Sequence, residues 1–89
     1  MKAINIKTEL GNEILASLIK LHGWRVKSEY SKLAFDKGID FDSYILEKEG
    51  VRLEFEWTNW FEWEISGSIE TLQELAKNYG FELNLEKDS

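Results

Sequence analysis

Residues 53–64 form the segment that most constrains the fold of this chain, and they read LEFEWTNWFEWE. On both sides of the central TNW, apolar residues alternate with acidic ones, and this period of two is typical of β-strands. Strands of this kind present one face to a core and the other to water or to a partner. The segment therefore predicts a tight hairpin in a sheet that has one apolar face and one acidic face.

The size and composition of the chain indicate one small domain, residues 1–89, with a frayed polar end at 85–89. A content of 43% hydrophobic and 13% aromatic residues is enough for a core without covalent staples. Cys is absent, which excludes disulfides, zinc–thiolate sites and Cys nucleophiles. No apolar run approaches the ~20 residues that span a bilayer, and the N-terminus lacks the pattern of a signal peptide. We therefore expect a cytoplasmic protein.

The charge of the chain narrows the class of partner. Its net charge is −6, from 17 acidic and 11 basic residues. Nucleic acids and anionic membranes would be repelled by this charge, so neither is an expected partner. The acidic residues either keep the protein soluble or attract a basic protein, and both interpretations stay open.

The first helix is predicted between a short strand at residues 3–8 and a strand that starts at Trp24. Thr8 or Asn12 is its expected N-cap, and Gly23 is its expected left-handed end. Its apolar stripe consists of Leu10, Ile14, Leu15, Leu18 and Leu21. The following residues 31–40 fit either one helical turn, capped by Ser31, or a loop.

The second helix follows a stretch of β pattern that covers residues 41–67. Ser68 or Ser66 is its expected N-cap, Gly80 closes it, and a last strand covers residues 81–85. Its apolar stripe consists of Ile69, Leu72, Leu75, Ala76 and Tyr79.

The two helical regions share a pattern at an offset of 57 residues. Leu15, Leu18, Lys20, Gly23, Trp24 and Val26 match Leu72, Leu75, Lys77, Gly80, Phe81 and Leu83. The match indicates two βαβ units flanking a hairpin. It is explained either by duplication or by the helical period and cap chemistry alone.

Parity sets the register of the central strands, because a slip of one residue moves every side chain to the other face. A two-residue turn at Glu49-Gly50 pairs Leu46 with Leu53 and Ile45 with Glu54. A three-residue loop over residues 58–60 then keeps the next strand in phase. The predicted inner face consists of Tyr44, Leu46, Leu53, Phe55, Trp57, Phe61, Trp63 and Ile65.

The same register predicts an acidic outer face, which carries Glu47, Glu54, Glu56, Glu62 and Glu64 beside Arg52. It places Glu56 opposite Glu62 and Glu54 opposite Glu64, and like charges directly opposite are destabilising. The face is either a solvated surface that prevents aggregation or a docking surface for a basic protein, whose cations would separate the carboxylates. Trp60 is left in the loop, where it either covers its own core or anchors a partner.

The sequence contains little that indicates catalysis or metal binding. His22 is the only His, and its position fits the end of the first helix. Asp36, Asp40 and Asp42 lack the spacing and the terminal Glu of an EF-hand loop. Known nucleotide-binding and hydrolase motifs are also missing. We expect no enzymatic activity, no cofactor and no metal.

The fold expected from these patterns is α+β, in the order β-α-β-β-β-β-α-β. Two helices would lie on one face of a mixed, mainly antiparallel sheet. This order resembles a ferredoxin-like arrangement with an inserted hairpin, an analogy of fold that implies no function.

The leading functional expectation is a protein-binding module of the immunity, inhibitor or adaptor kind. It would present Glu54, Glu56, Glu62, Glu64 and Trp60 to a basic protein. The alternative is a module that binds a small molecule through Trp57 and Trp63, or that self-associates as a homodimer.

Overall fold

The computed structural model describes residues 1–31, 41–60 and 62–86 of the chain. Within them, the elements follow in the predicted order: β1 (Lys2–Ile6), α1 (Thr8–Leu21), β2 (Arg25–Ser31), β3 (Phe41–Lys48), β4 (Val51–Thr58), β5 (Glu62–Ser66), α2 (Ile69–Tyr79) and β6 (Asn84–Glu86). The predictions for residues 32–40 and for Phe61 lie outside the described residues. Neither of these two helices has the length and apolar character needed to cross a lipid bilayer.

The six strands form one open sheet in the order β2-β3-β4-β5-β1-β6. Each ladder between these neighbours is antiparallel, which confirms the α+β class and shows that the expected mixed sheet is wrong. β1 and β2, which α1 connects, are separated by three strands, whereas β5 and β6 are separated by β1 alone. The two βαβ-like halves thus occupy unequal places in the sheet, and their duplication stays a prediction.

The hairpin of β3 and β4 has the predicted register, with Leu46 opposite Leu53 and Lys48 opposite Val51. Its turn residues both have positive φ, 51° at Glu49 and 81° at Gly50. Positive φ at both central residues defines a type I′ turn, whose twist matches that of the flanking strands. A two-residue turn leaves the pairing no freedom, which is why the sequence predicts it correctly.

The hairpin of β4 and β5 has a different register from the predicted one. Trp57 lies opposite Trp63, two residues further along than expected, and Thr58 lies opposite Glu62. Thr58 thus belongs to the ladder, and the predicted loop over residues 58–60 is wrong. A shift of two residues preserves the face of every side chain, so the predicted faces survive the wrong pairing.

Buried residues from the sheet and from both helices form one hydrophobic cluster. It contains Ala3, Ile6, Ile14, Leu18, Leu46, Leu53, Phe55, Trp63, Ile65, Leu72 and Leu75. Tyr44 and Trp57 are half-buried and pack against it, as expected for the inner face. Leu21 was predicted to lie in the core but is 76% exposed, because it is the last residue of α1.

The ends of the helices follow the predicted chemistry at three of four places. Ser68 Oγ accepts the amide N–H three residues later at 3.3 Å, and Gly80 ends α2 in the left-handed region. Gly23 has a φ of 74° after α1.

At the C-terminal end of the described residues, Leu85 of β6 pairs with Ala3 of β1, so the frayed end does not begin at residue 85.

Candidate binding surface at the start of helix α1

The outer face of the sheet holds three of the predicted site residues, but the structure arranges them differently. Glu56 lies opposite Glu64, and Glu54 lies opposite Ser66. The sequence predicts two pairs of opposed carboxylates, whereas this ladder has one, formed by Glu56 and Glu64. The cross-strand repulsion on this face is therefore smaller than the predicted register implies.

Cations from neighbouring strands lie among these carboxylates. Lys2 Nζ approaches Glu64 Oε1 at 3.6 Å, and Lys27 Nζ approaches Glu47 Oε1 at 3.8 Å. Arg52 lies opposite Glu47 across the β3–β4 ladder. Partly exposed ion pairs of this kind contribute little stability, but they lower the net negative charge of the face. The outer face thus has mixed charge instead of the acidic character that the sequence predicts.

Glu62 plays a structural part that the sequence analysis did not foresee. Helix α1 has Lys7 at its N-cap position and no side-chain cap of its own, so the predicted cap at Thr8 or Asn12 is wrong. Glu62 Oε1 accepts the Thr8 backbone N–H at 3.0 Å and the Thr8 hydroxyl at 3.1 Å. A carboxylate at this position accepts a hydrogen bond from a backbone amide that has no partner within the helix. Its negative charge also interacts favourably with the positive end of the helix dipole. Glu62 itself has a φ of 58°, the left-handed region that residues with a Cβ seldom adopt.

Two indole N–H groups bind the same face of α1. Trp57 Nε1 donates to Thr8 Oγ1 at 2.8 Å, and Trp63 Nε1 donates to Asn12 Oδ1 at 3.0 Å. Thr8 and Asn12 are four residues apart, so both side chains lie on one side of the helix. Because the Thr8 hydroxyl also donates to Glu62, a continuous chain of hydrogen bonds runs from Trp57 through Thr8 to the Glu62 carboxylate.

Gly11 permits the close approach of α1 to the sheet. A Cβ added at this buried position would overlap Cβ, Cγ and Cδ1 of Trp63. The Trp63 ring is also packed edge-to-face against Phe55, with centroids 6.0 Å apart. The absence of a side chain at Gly11 is thus what lets Trp63 lie beneath the helix and reach Asn12.

A small pocket of about 150 Å³ opens between the start of α1 and the sheet. It is lined by Thr8, Asn12, Asp42, Trp57 and Trp63. The ladders place Asp42 opposite Trp57 and Trp57 opposite Trp63, so the three form one row across three strands. Trp57 and Trp63, which the alternative prediction assigned to a small-molecule site, therefore line a common pocket. Both of their indole N–H groups are hydrogen-bonded to side chains of α1.

A larger depression of about 470 Å³ shares Thr8 with this pocket. Three of its six lining residues are acidic, and the lining consists of Lys7, Thr8, Glu9, Leu10, Glu13 and Glu62. Trp60, two residues before Glu62 in the chain, is 69% exposed. Trp60 follows β4 in the chain, and Glu62 is the first residue of β5.

One signal in the sequence does point to this arrangement. Lys at the N-cap position leaves the first turn of α1 without a local acceptor, and buried or half-buried helix ends need one. The partner has to come from elsewhere in the chain, and carboxylates are the favoured type. Which Glu provides it depends on tertiary structure, and the pattern of residues does not identify it.

Within residues 1–31, 41–60 and 62–86, no three His, Asp or Glu side chains are grouped as a metal site would require. Asp36 and Asp40, which the sequence analysis compared with an EF-hand loop, lie outside these ranges. His22 is exposed just after the end of α1.

Comparison with known proteins adds no relative from which a function could be transferred. No protein-family model, no curated protein and no solved structure shows a significant match to this chain.

Proposed function

We propose that this protein is a non-enzymatic binding module that docks a basic segment of another protein. The docking site would be the Trp60 edge, which we define as Trp60, Glu62, Glu9 and Glu13. The exposure of Trp60 is the observation that carries the proposal. The role given to the sheet glutamates Glu54, Glu56 and Glu64 in the sequence analysis becomes secondary.

Trp60 has the properties of an interface anchor. A fully buried Trp removes roughly 150–250 Å² from water, and Trp is enriched among residues that dominate binding energy. Its side chain is 69% exposed, and it is not among the hydrophobic residues that pack against the described core. Of the two interpretations left open for Trp60, this favours an anchor for a partner over a cover for its own core.

The depression at the start of α1 favours a partner that carries Lys or Arg. Glu9, Glu13 and Glu62 line it together with a single basic residue, Lys7. The outer face of the sheet is less selective, because Lys2 and Lys27 form ion pairs with two of its carboxylates. Complementary charge speeds encounter and excludes acidic partners, while a central aromatic residue supplies affinity.

An inhibitor or immunity protein for a cationic toxin would have this charge complementarity, and so would an acidic adaptor.

Two more specific expectations, about the fold and the location of the protein, also remain proposals. The ferredoxin-like analogy is supported by the two βαβ-like crossovers, and a cytoplasmic location is supported by the lack of Cys.

The test is affinity capture from native lysate with matched variants. Trp60→Ala removes the anchor, and a Glu9→Gln/Glu13→Gln double variant removes charge without touching the cap formed by Glu62. A double variant on the sheet, Glu54→Gln/Glu56→Gln, removes the same number of charges and is the control. Circular dichroism would verify that each variant is folded.

We expect the control to retain the captured protein and both Trp60-edge variants to lose it. Replacing an anchor Trp typically costs at least about 2 kcal/mol, or roughly 30-fold in affinity. Binding that weakens with salt for the wild type, and less steeply for the Glu9/Glu13 variant, would support the role of charge. Loss in the control alone, or equal recovery by all variants, would contradict the assignment of the Trp60 edge.

A further inference from the structure

The pocket between α1 and the sheet combines a carboxylate with aromatic surface. Asp42, Trp57 and Trp63 are cross-strand neighbours, and such neighbours have side chains on the same face. Trp63 is 3% exposed, whereas Asp42 and Trp57 are half-buried. The row thus runs from the core outward to a charged group at the mouth of the pocket.

The polar edges of both indoles are already engaged. Their N–H groups donate to Thr8 and Asn12, so what the rings can offer a ligand is π surface and C–H edges. The negative face of an indole attracts cations and is the strongest such acceptor among the side chains. The aromatic part of the pocket therefore favours a positively charged and weakly hydrated group.

The carboxylate of Asp42 is available for a ligand. Among the described residues, no hydrogen bond or ion pair engages it. The positive end of the α1 dipole lies nearby and would by itself disfavour a cation. Glu62 offsets that effect, because its carboxylate already accepts the first amide of the helix.

We propose that this pocket binds a compact alkylammonium group. Its volume of about 150 Å³ is below the 300–1,000 Å³ of most sites for drug-sized ligands, so it admits a headgroup and not a large molecule. A single carboxylate does not satisfy the six or more oxygen ligands of Ca²⁺, but it does pair with an organic cation over an aromatic surface. The site shares no proposed binding residue with the Trp60 edge, so either proposal can fail alone.

The experiment is a titration of the full chain with choline, followed by the ¹H–¹⁵N signals of the Trp indoles. The carbon isostere of choline, in which a tert-butyl group replaces trimethylammonium, is the matched ligand control. Asp42→Asn is the site variant, and Glu74→Gln, at an exposed position of α2, is the control variant outside the pocket. A blocked lysine amide tests whether the ammonium group can belong to a protein side chain.

We expect saturable shifts of the Trp57 and Trp63 signals with choline and not with its isostere. Asp42→Asn should weaken binding about tenfold, and Glu74→Gln should leave it unchanged. Tighter binding of the lysine amide than of choline would assign the site to a side chain, and weaker binding would assign it to a free small molecule. Equal shifts with the neutral isostere, or no saturation with any ammonium compound, would overturn the proposal, and neither outcome depends on a variant that folds.

Discussion

Replacing Gly11 with Ala sets two well-known effects against each other. Gly in the interior of a helix is about 1 kcal/mol less favourable than Ala, so helix propensity alone predicts a more stable protein. The structure predicts the opposite, because the added methyl group would overlap the ring of Trp63. The sign of the change in unfolding free energy decides between them.

The steric effect should prevail because Trp63 has little room to move. The ring is 3% exposed and is in contact with Phe55 and Tyr44, at centroid distances of 6.0 and 6.2 Å. Overpacking of this kind costs about 1–3 kcal/mol. A displaced ring also loses its 3.0 Å hydrogen bond to Asn12, which is worth about 1 kcal/mol. We expect Gly11→Ala to lower the free energy of unfolding by about 2 kcal/mol after the gain in propensity is subtracted.

The assay is urea and thermal unfolding, monitored by circular dichroism. For a domain of this size, about 2 kcal/mol corresponds to a fall of roughly 10 °C in the melting temperature. Ala16→Gly, at an exposed position of the same helix, measures the propensity effect without a steric one and should cost about 1 kcal/mol. Thus Gly should be the better residue at position 11 and Ala the better residue at position 16.

The same substitution in a protein that lacks the Trp63 ring distinguishes the steric clash from other causes of destabilisation. In a Trp63→Ala protein Cγ and Cδ1, the two atoms that the new methyl group would overlap most closely, are gone, so the cost of Gly11→Ala should there fall well below its wild-type value. The reasoning is refuted if Gly11→Ala raises the melting temperature of the wild type. It is also refuted if the loss persists undiminished in the Trp63→Ala background, because α1 would then be sensitive to Ala for a reason unrelated to the Trp63 ring.

Two further predictions concern residues with positive φ. Glu62→Ala removes the acceptor for Thr8 and should cost about 1 kcal/mol in urea unfolding, whereas Glu54→Ala on the exposed sheet face should change stability by less than about 0.5 kcal/mol; equal effects would mean that Glu62 is not a cap. Glu49→Asn places a residue that tolerates the left-handed region before Gly50 and should raise stability by about 0.5 kcal/mol, since other residues pay roughly 1–2 kcal/mol there. An unchanged or lower melting temperature for Glu49→Asn would show that the turn is not strained at this position.

The faces of the central strands were predictable from the sequence because they depend only on parity. Leu46, Leu53, Phe55, Trp63 and Ile65 are all buried, as their alternation with charged residues indicates. Burying the wrong face would place glutamates in the core at a prohibitive cost. The energetic difference between the two choices is large, so a simple pattern is enough to identify the correct one.

The character of the outer face was not predictable, because it depends on strands that are distant in the chain. Lys2 belongs to β1, which lies between β5 and β6, and its partner Glu64 is far along the sequence. Lys27 comes from β2 at the opposite edge. The strand order that brings these cations to the glutamates has no local signature. Local alternation therefore shows which residues share a face, but not the net charge of that face.

The register of β4 and β5 was mispredicted for a related reason, and the error bears on function. A shift of two residues leaves the hydrophobic pattern unchanged, so only weaker interactions distinguish the two registers. The predicted register opposed two pairs of glutamates, while the observed one opposes Glu56 and Glu64 alone and frees Glu62 for the start of α1. The repulsion in the predicted register was itself a signal against it. Because the true register places Glu62 at the start of β5 and against the first turn of α1, the docking surface that we propose lies at the Trp60 edge instead of on the outer face of the sheet.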